Sequence, residues 1–63
     1  MIMANLSAKE LTALEEELAF ETLLTKKFRS LAELSSDPAI KQKYEQISNK
    51  HQEHFDRLLS YLN

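Results

Sequence analysis

Cysteine is absent from this 63-residue chain, so no disulfide can staple it and no cysteine-based zinc site can form. Glycine is absent as well, and proline occurs once, at Pro38. The chain therefore lacks the residue that tight β-hairpin turns favour and the composition of a flexible linker. No apolar run approaches the length of a membrane span. With eight basic against ten acidic residues the net charge is −2, without the basic excess that nucleic-acid binding calls for. The opening stretch MIMANLS has neither a basic n-region nor an apolar h-region, so no secretory signal is expected and the product is expected to stay in the cytoplasm where it is made.

What is present favours helix. Ala, Leu, Glu, Lys and Gln dominate, and all are strong helix formers. The expectation is an all-α fold in one domain, residues 1–63. Ser7 followed by Glu10 fits a capping box, with Leu6 and Leu11 as its hydrophobic staple. Residues 1–5 read as a lead-in that docks Ile2 or Met3 on a neighbour. Helix 1 is expected over about 8–34, with Glu15, Glu16 and Glu17 in its first half and Lys26, Lys27 and Arg29 in its second, as the helix dipole favours. The same clusters also make a solvated face. In SSDPAI, Asp37 is an N-cap and Pro38 suits the first helical position. Proline also keeps the residue before it out of the α region. The turn is thus expected at 35–37 and helix 2 over about 38–62. So short a connection forces the helices antiparallel, as a hairpin.

Steps of three and four residues along helix 1 pick out Leu11, Leu14, Leu18, Glu21, Thr25, Phe28 and Ala32. The same walk along helix 2 picks out Ile40, Tyr44, Ile47, His51, His54, Leu58 and Tyr61. Each seam is apolar at its ends and polar in its middle. Folding the chain about residue 36 sets Glu21 level with His51, since 36 − 21 and 51 − 36 are both 15. Leu18 falls level with His54, and Glu17 lies on the edge of the seam. Both histidines, the only two in the chain, are therefore expected to point inward at Glu21.

A buried carboxylate and imidazole must be paired or bound to a metal. The simpler outcome is a hydrogen bond from histidine to Glu21, with Thr25 and Ser48 bonding in the same polar layer. The other is a metal ion shared by Glu21, His51 and His54, with Glu17 placed to add a carboxylate. Such ligands, projecting from facing helices, are how bundle metal sites are built, and they suit zinc, iron or manganese. Phe20, Leu23, Leu24, Leu31 and Leu34, with Phe55, Leu59 and Leu62, exceed what one hairpin seam can cover. The surplus predicts a homodimer or higher homo-oligomer, two hairpins closing into a four-helix bundle. A partner helix in the same apolar groove would use the same residues.

NLSAKEL, EEELAFETLLTKKF, SSDPAIKQKY and HQEHFDRLL, with a glutamate midway along helix 1 and a DP helix start, resemble the Coat F family of bacterial spore coat proteins. The resemblance spans about residues 6–62 and is one of layout rather than of a strict motif. It implies a ferritin-like four-helix bundle in which each chain supplies half, a place in the spore coat, and other coat proteins as partners. The ferritin-like metal motif sets a glutamate on one helix against Glu-x-x-His on the other. Glu21 matches the first glutamate. If His51 is the motif histidine, Ser48 stands where glutamate is required; if His54 is, His51 stands there. Either register lacks a carboxylate, which speaks against di-iron oxidation chemistry. No nucleophile–base–orienter set is visible, so no enzyme activity is expected. The leading expectation is a non-catalytic structural or assembly protein of the spore coat, without a cofactor. The alternative is a ferritin-like protein binding iron, manganese or zinc at Glu21, His51 and His54.

Overall fold

The computed structural model describes residues 6–62. The lead-in carrying Ile2 and Met3 lies outside them. Helix α1 runs Ala8–Leu34 and helix α2 runs Pro38–Ser60, and the described residues contain no strand. The two pack against each other as a helical hairpin.

Each helix starts where its capping residues dictate. The Ser7 hydroxyl accepts from the Glu10 N–H at 3.1 Å, and the Glu10 carboxylate accepts from the Ser7 N–H at 3.0 Å. Two of the donors orphaned at a helix start are thereby satisfied. At α2 one Asp37 carboxylate oxygen accepts from the N–H groups of both Ala39 and Ile40, at 2.9 and 3.2 Å. Pro38 opens the helix without a donor to lose. The far end of α2 stops at Ser60, two residues short of the expectation, with Tyr61 as its cap. Helix ends fray by this much where no residue enforces a stop, and no glycine is present to do so. The basic cluster of α1 also stops short of the last turn, which holds no base. Dipole interactions fade beyond a terminal turn, so Lys26, Lys27 and Arg29, all exposed, act as a solvated face.

On α1 the seam falls where the periodicity puts it. Glu21, Thr25 and Ala32 are buried, Leu14, Leu18 and Phe28 are half-buried, and only Leu11 at the open end is exposed. On α2 the seam is turned by one position. Ser48 is 2 % exposed while Ile47 is 37 % exposed, and Ile40 and Tyr61 are likewise exposed. The inward line is Tyr44, Ser48, His51, Phe55 and Leu58, none of them exposed. The reason is size. Where two helices lie closest only a small side chain fits between them, and a hydroxyl can satisfy itself there: Ser48 Oγ donates to the carbonyl of Thr25 at 2.9 Å. Phe28 fills the next layer, 6.0 Å from the ring of Tyr44.

Ser48→Leu should therefore force the helices apart. Overpacking of a close contact costs about 1–3 kcal/mol, and each kcal/mol lowers the melting temperature of a chain this size by roughly 4–8 °C. Ser48→Ala gives up only one hydrogen bond, about 1 kcal/mol. Thermal melts of the two variants check this. A Ser48→Leu variant as stable as Ser48→Ala would mean that the helices do not meet at this residue.

The Cα trace spans 47 × 19 × 10 Å. A body one helix thick has no interior, and among the described residues Ala32 is the only buried hydrophobic residue. Phe20, Leu23, Leu34, Leu59 and Leu62 are all exposed.

Candidate metal centre

The buried centre of the hairpin is polar, and it is wired together through hydroxyls. Thr25 Oγ1 donates to the Glu21 carbonyl, one turn back, at 2.8 Å. The Thr25 carbonyl in turn accepts from Ser48 across the helix pair. Among the described residues no buried side-chain polar atom lacks a partner. This layer fixes the axial register of α1 against α2 and so decides what meets the Glu21 carboxylate.

Two imidazoles meet it. His51 Nδ1 lies 2.6 Å from Glu21 Oε1, and His54 Nδ1 lies 3.7 Å from Glu21 Oε2. The side chain of Glu21 is 10 % exposed, that of His51 22 % and that of His54 45 %. Both histidines face Glu21, as expected, but His51 is the deeper of the two. His54, three residues on, is rotated to the flank by the same turn of α2 that buries Ser48, yet its Nδ1 still faces Glu21. Phe28 stacks on His51 with ring centroids 6.0 Å apart and planes 16° apart, and the two imidazoles meet edge to face at 5.7 Å.

Glu21 is the group whose protonation this environment alters. Burial pushes its carboxyl up, but the hydrogen bond from His51 and the charges of His51 and His54 hold it below the ordinary carboxylate value. At neutral pH Glu21 is therefore ionised and can only accept. Nδ1 of His51 must then carry the hydrogen of the 2.6 Å bond.

The sign of the pH effect follows. A carboxyl whose folded value lies below its unfolded one adds stability above the unfolded value and loses it as pH falls through the folded one. Melting temperature should hold down to the carboxylate range and fall below it, and Glu21→Gln should flatten that fall. Melts taken from neutral pH down to about pH 3 check this; parallel curves for the two proteins would remove Glu21 as the cause.

One ligand atom each from Glu21, His51 and His54 lies within 4.8 Å of the others, so the three together could hold a metal ion. The distances are uneven. Two ligands on a tetrahedral zinc stand about 3.3 Å apart, given bonds of ~2.0–2.1 Å. At 2.6 Å, His51 Nδ1 and Glu21 Oε1 are a hydrogen-bonded pair and too close to share an ion without parting. Glu21 Oε2 and His54 Nδ1, at 3.7 Å, are near the required spacing. As the side chains stand, the pair nearest ligand spacing is Glu21 Oε2 with His54 Nδ1, while His51 holds the carboxylate through its hydrogen bond. Buttressing of a ligand by a second hydrogen bond is a common feature of metal sites.

Glu17, one turn before Glu21, stays outside the three-residue set. It lines a groove of about 250 Å³ together with Glu21, His54, Arg57 and Leu58. Steps chosen for hydropathy pass from His54 by four to Leu58 and so miss Arg57. The step of three, from His51 through His54 to Arg57, marks the edge of the groove. Comparison with protein-family models, with curated proteins and with solved structures finds no match for the chain.

Proposed function

We propose that the chain is a non-catalytic assembly protein, a helical hairpin that acts by pairing with a second copy into a four-helix bundle. The observation that carries this reading is the missing interior: a body one helix thick buries one hydrophobic residue, Ala32, among those described. The hairpin is also two-faced. Leu31 and Ile40 border one groove, and Glu17 and His54 border another. On that side Leu24 and Leu31 follow Glu17 at steps of seven, and His54 and Tyr61 follow Ile40 and Ile47 at steps of seven. Sevenfold spacing keeps residues in one stripe along a helix. A further groove is lined instead by Arg29, Glu33, Lys41 and Glu45, a solvated surface. One apolar face and one charged face suit a half-bundle whose missing half is another copy, since a twofold pair sets identical stripes together. The quoted likeness to the Coat F family supports the spore coat as the setting, with synthesis in the cytoplasm and other coat proteins as neighbours. No helix among the described residues is long and apolar enough to cross a membrane. Sedimentation equilibrium of the wild type tests the reading: a dimer or a larger even assembly is expected, and a folded monomer at all concentrations would overturn it.

A second reading is favoured by the approach of Glu21, His51 and His54 to one another. On it the bundle binds iron, manganese or zinc, as a ferritin-like protein would. Metal retained through dialysis by the wild type and lost by Glu21→Ala would support it.

A further inference from the structure

We propose that one divalent cation is bound between two copies of the hairpin, on their twofold axis, held by Glu21 and His54 of each copy. His51 of each copy is the positioning residue that holds Glu21. This rests on the metal-binding reading of the site and adds to it a partner and a stoichiometry.

Three observations lead here. The first is position along the rod. α1 has 27 residues, and Glu21 is its central one, with thirteen on either side. A twofold axis along the bundle brings equivalent layers level wherever they lie. An axis across the bundle does so only for a layer at mid-length. Glu21 satisfies both, so either way of pairing two hairpins brings the two carboxylates level.

The second is direction. His54 belongs to the stripe of Ile40, Ile47 and Tyr61, and its side chain, 45 % exposed, lies in the groove beside Glu17. The face that a second copy would cover therefore carries a half-exposed imidazole and the open oxygen of Glu21 at its centre. Covering an apolar stripe that contains an imidazole with no hydrogen bond, its Nδ1 3.7 Å from Glu21, is unfavourable unless that nitrogen gains a closer partner. A cation with a matching set on the far side supplies one.

The third is charge. The single chain offers one buried carboxylate, which neutralises half the charge of a divalent ion, and its hydrogen bond to His51 keeps the second imidazole out of the chelate. Two copies offer two carboxylates and two flank imidazoles, four ligands whose two negative charges offset those of the ion. That is the count and the mixture of oxygen and nitrogen that a tetrahedral zinc-like ion takes. Helices in a bundle pack about 8–10 Å apart, a span that glutamate and histidine reaching in from both sides can bridge.

The probe is Co²⁺ alone, whose visible absorption reports tetrahedral coordination, added to the full chain during titration and sedimentation equilibrium. The expected result is saturation at about half an equivalent per chain, as one site on a twofold axis requires. A tetrahedral spectrum should accompany it. A cation that binds only the dimer should also tighten association about 100-fold at ~100 times its dissociation constant. His54→Gln and Glu21→Gln should abolish uptake, and His51→Gln should weaken it. Glu53→Gln, a change at an exposed residue off the site, should leave it intact. His54 is half-exposed, so its variant is expected to fold, and circular dichroism will verify that it does. One equivalent per chain with no effect on association would overturn the shared site and leave the metal-binding reading standing. No uptake by a wild type that dimerises would overturn both.

Discussion

Ile47→Glu is expected to break the assembly while Leu23→Glu leaves it intact, although Leu23 is the more exposed of the two in the hairpin. Ile47 is 37 % and Leu23 61 % exposed. Exposure in one copy does not say which residue the partner covers; direction does. Ile47 lies in the stripe of Ile40, His54 and Tyr61, beside Ser48, which is buried and bonded to the backbone of α1. Leu23 is two residues from the buried Glu21, about 200° around the helix, and so faces away from α2. A twofold interface contains every substitution twice. If each Ile47 loses about 1.5 kcal/mol of burial, two together weaken the dimer roughly 100-fold, at 1.4 kcal/mol per tenfold. Two carboxylates set in an apolar stripe add to that. Since the single hairpin has so little buried, loss of the partner should also lower its helicity, because stability and association are one equilibrium in such proteins. Sedimentation and circular dichroism across a dilution series will measure both. Equal effects of the two variants, or none from Ile47→Glu, would show that the partner does not sit on this face.

Where the helices begin and how they pair was legible in the sequence because local chemistry decides it. Ser7 with Glu10 and Asp37 with Pro38 fix the two starts, and a three-residue turn leaves only the antiparallel arrangement. Counting outward from residue 36 then brings Glu21 to His51, and the two are bonded. The rotation of α2 was harder to read. A walk by hydropathy steps through Ile47, since isoleucine is the apolar choice, whereas the structure turns Ser48 inward. In a pair of helices with no third layer the closest contact is limited by side-chain volume, and serine wins there although it is polar. That one-position turn moves His54 towards the flank and gives the two histidines different exposures. Periodicity alone could not separate them, because residues three apart are allowed on one seam at either setting. The end of α2 was the least legible feature, since no glycine or proline marks it.

Replacing His51 alone and replacing the Glu21–His51 pair together should have opposite effects on stability. His51→Leu removes the donor from a carboxylate that is 10 % exposed. An unsatisfied buried group costs about 1–3 kcal/mol, which is roughly 4–8 °C of melting temperature per kcal/mol for a chain of this length. Glu21→Leu with His51→Leu removes both polar partners and joins the apolar ends of the two seams. Substitutions of that kind are often neutral or stabilising by about 1–4 kcal/mol. The double variant should thus melt at or above the wild type, and the single variant well below it. Additivity would predict the reverse for the double, so the comparison isolates the pair. A more stable double variant would mean that the polar layer is not kept for stability, and its purpose must be sought in what it specifies. Two uses remain, and the same protein separates them. If the layer sets register, the double variant should form mixed assemblies even with metal absent. If it holds an ion, the variant should assemble cleanly and fail only to take up Co²⁺. Should the double variant instead be as unstable as His51→Leu, the hydrogen-bonded pair itself holds the hairpin together, and the case for a separate function at its centre falls away.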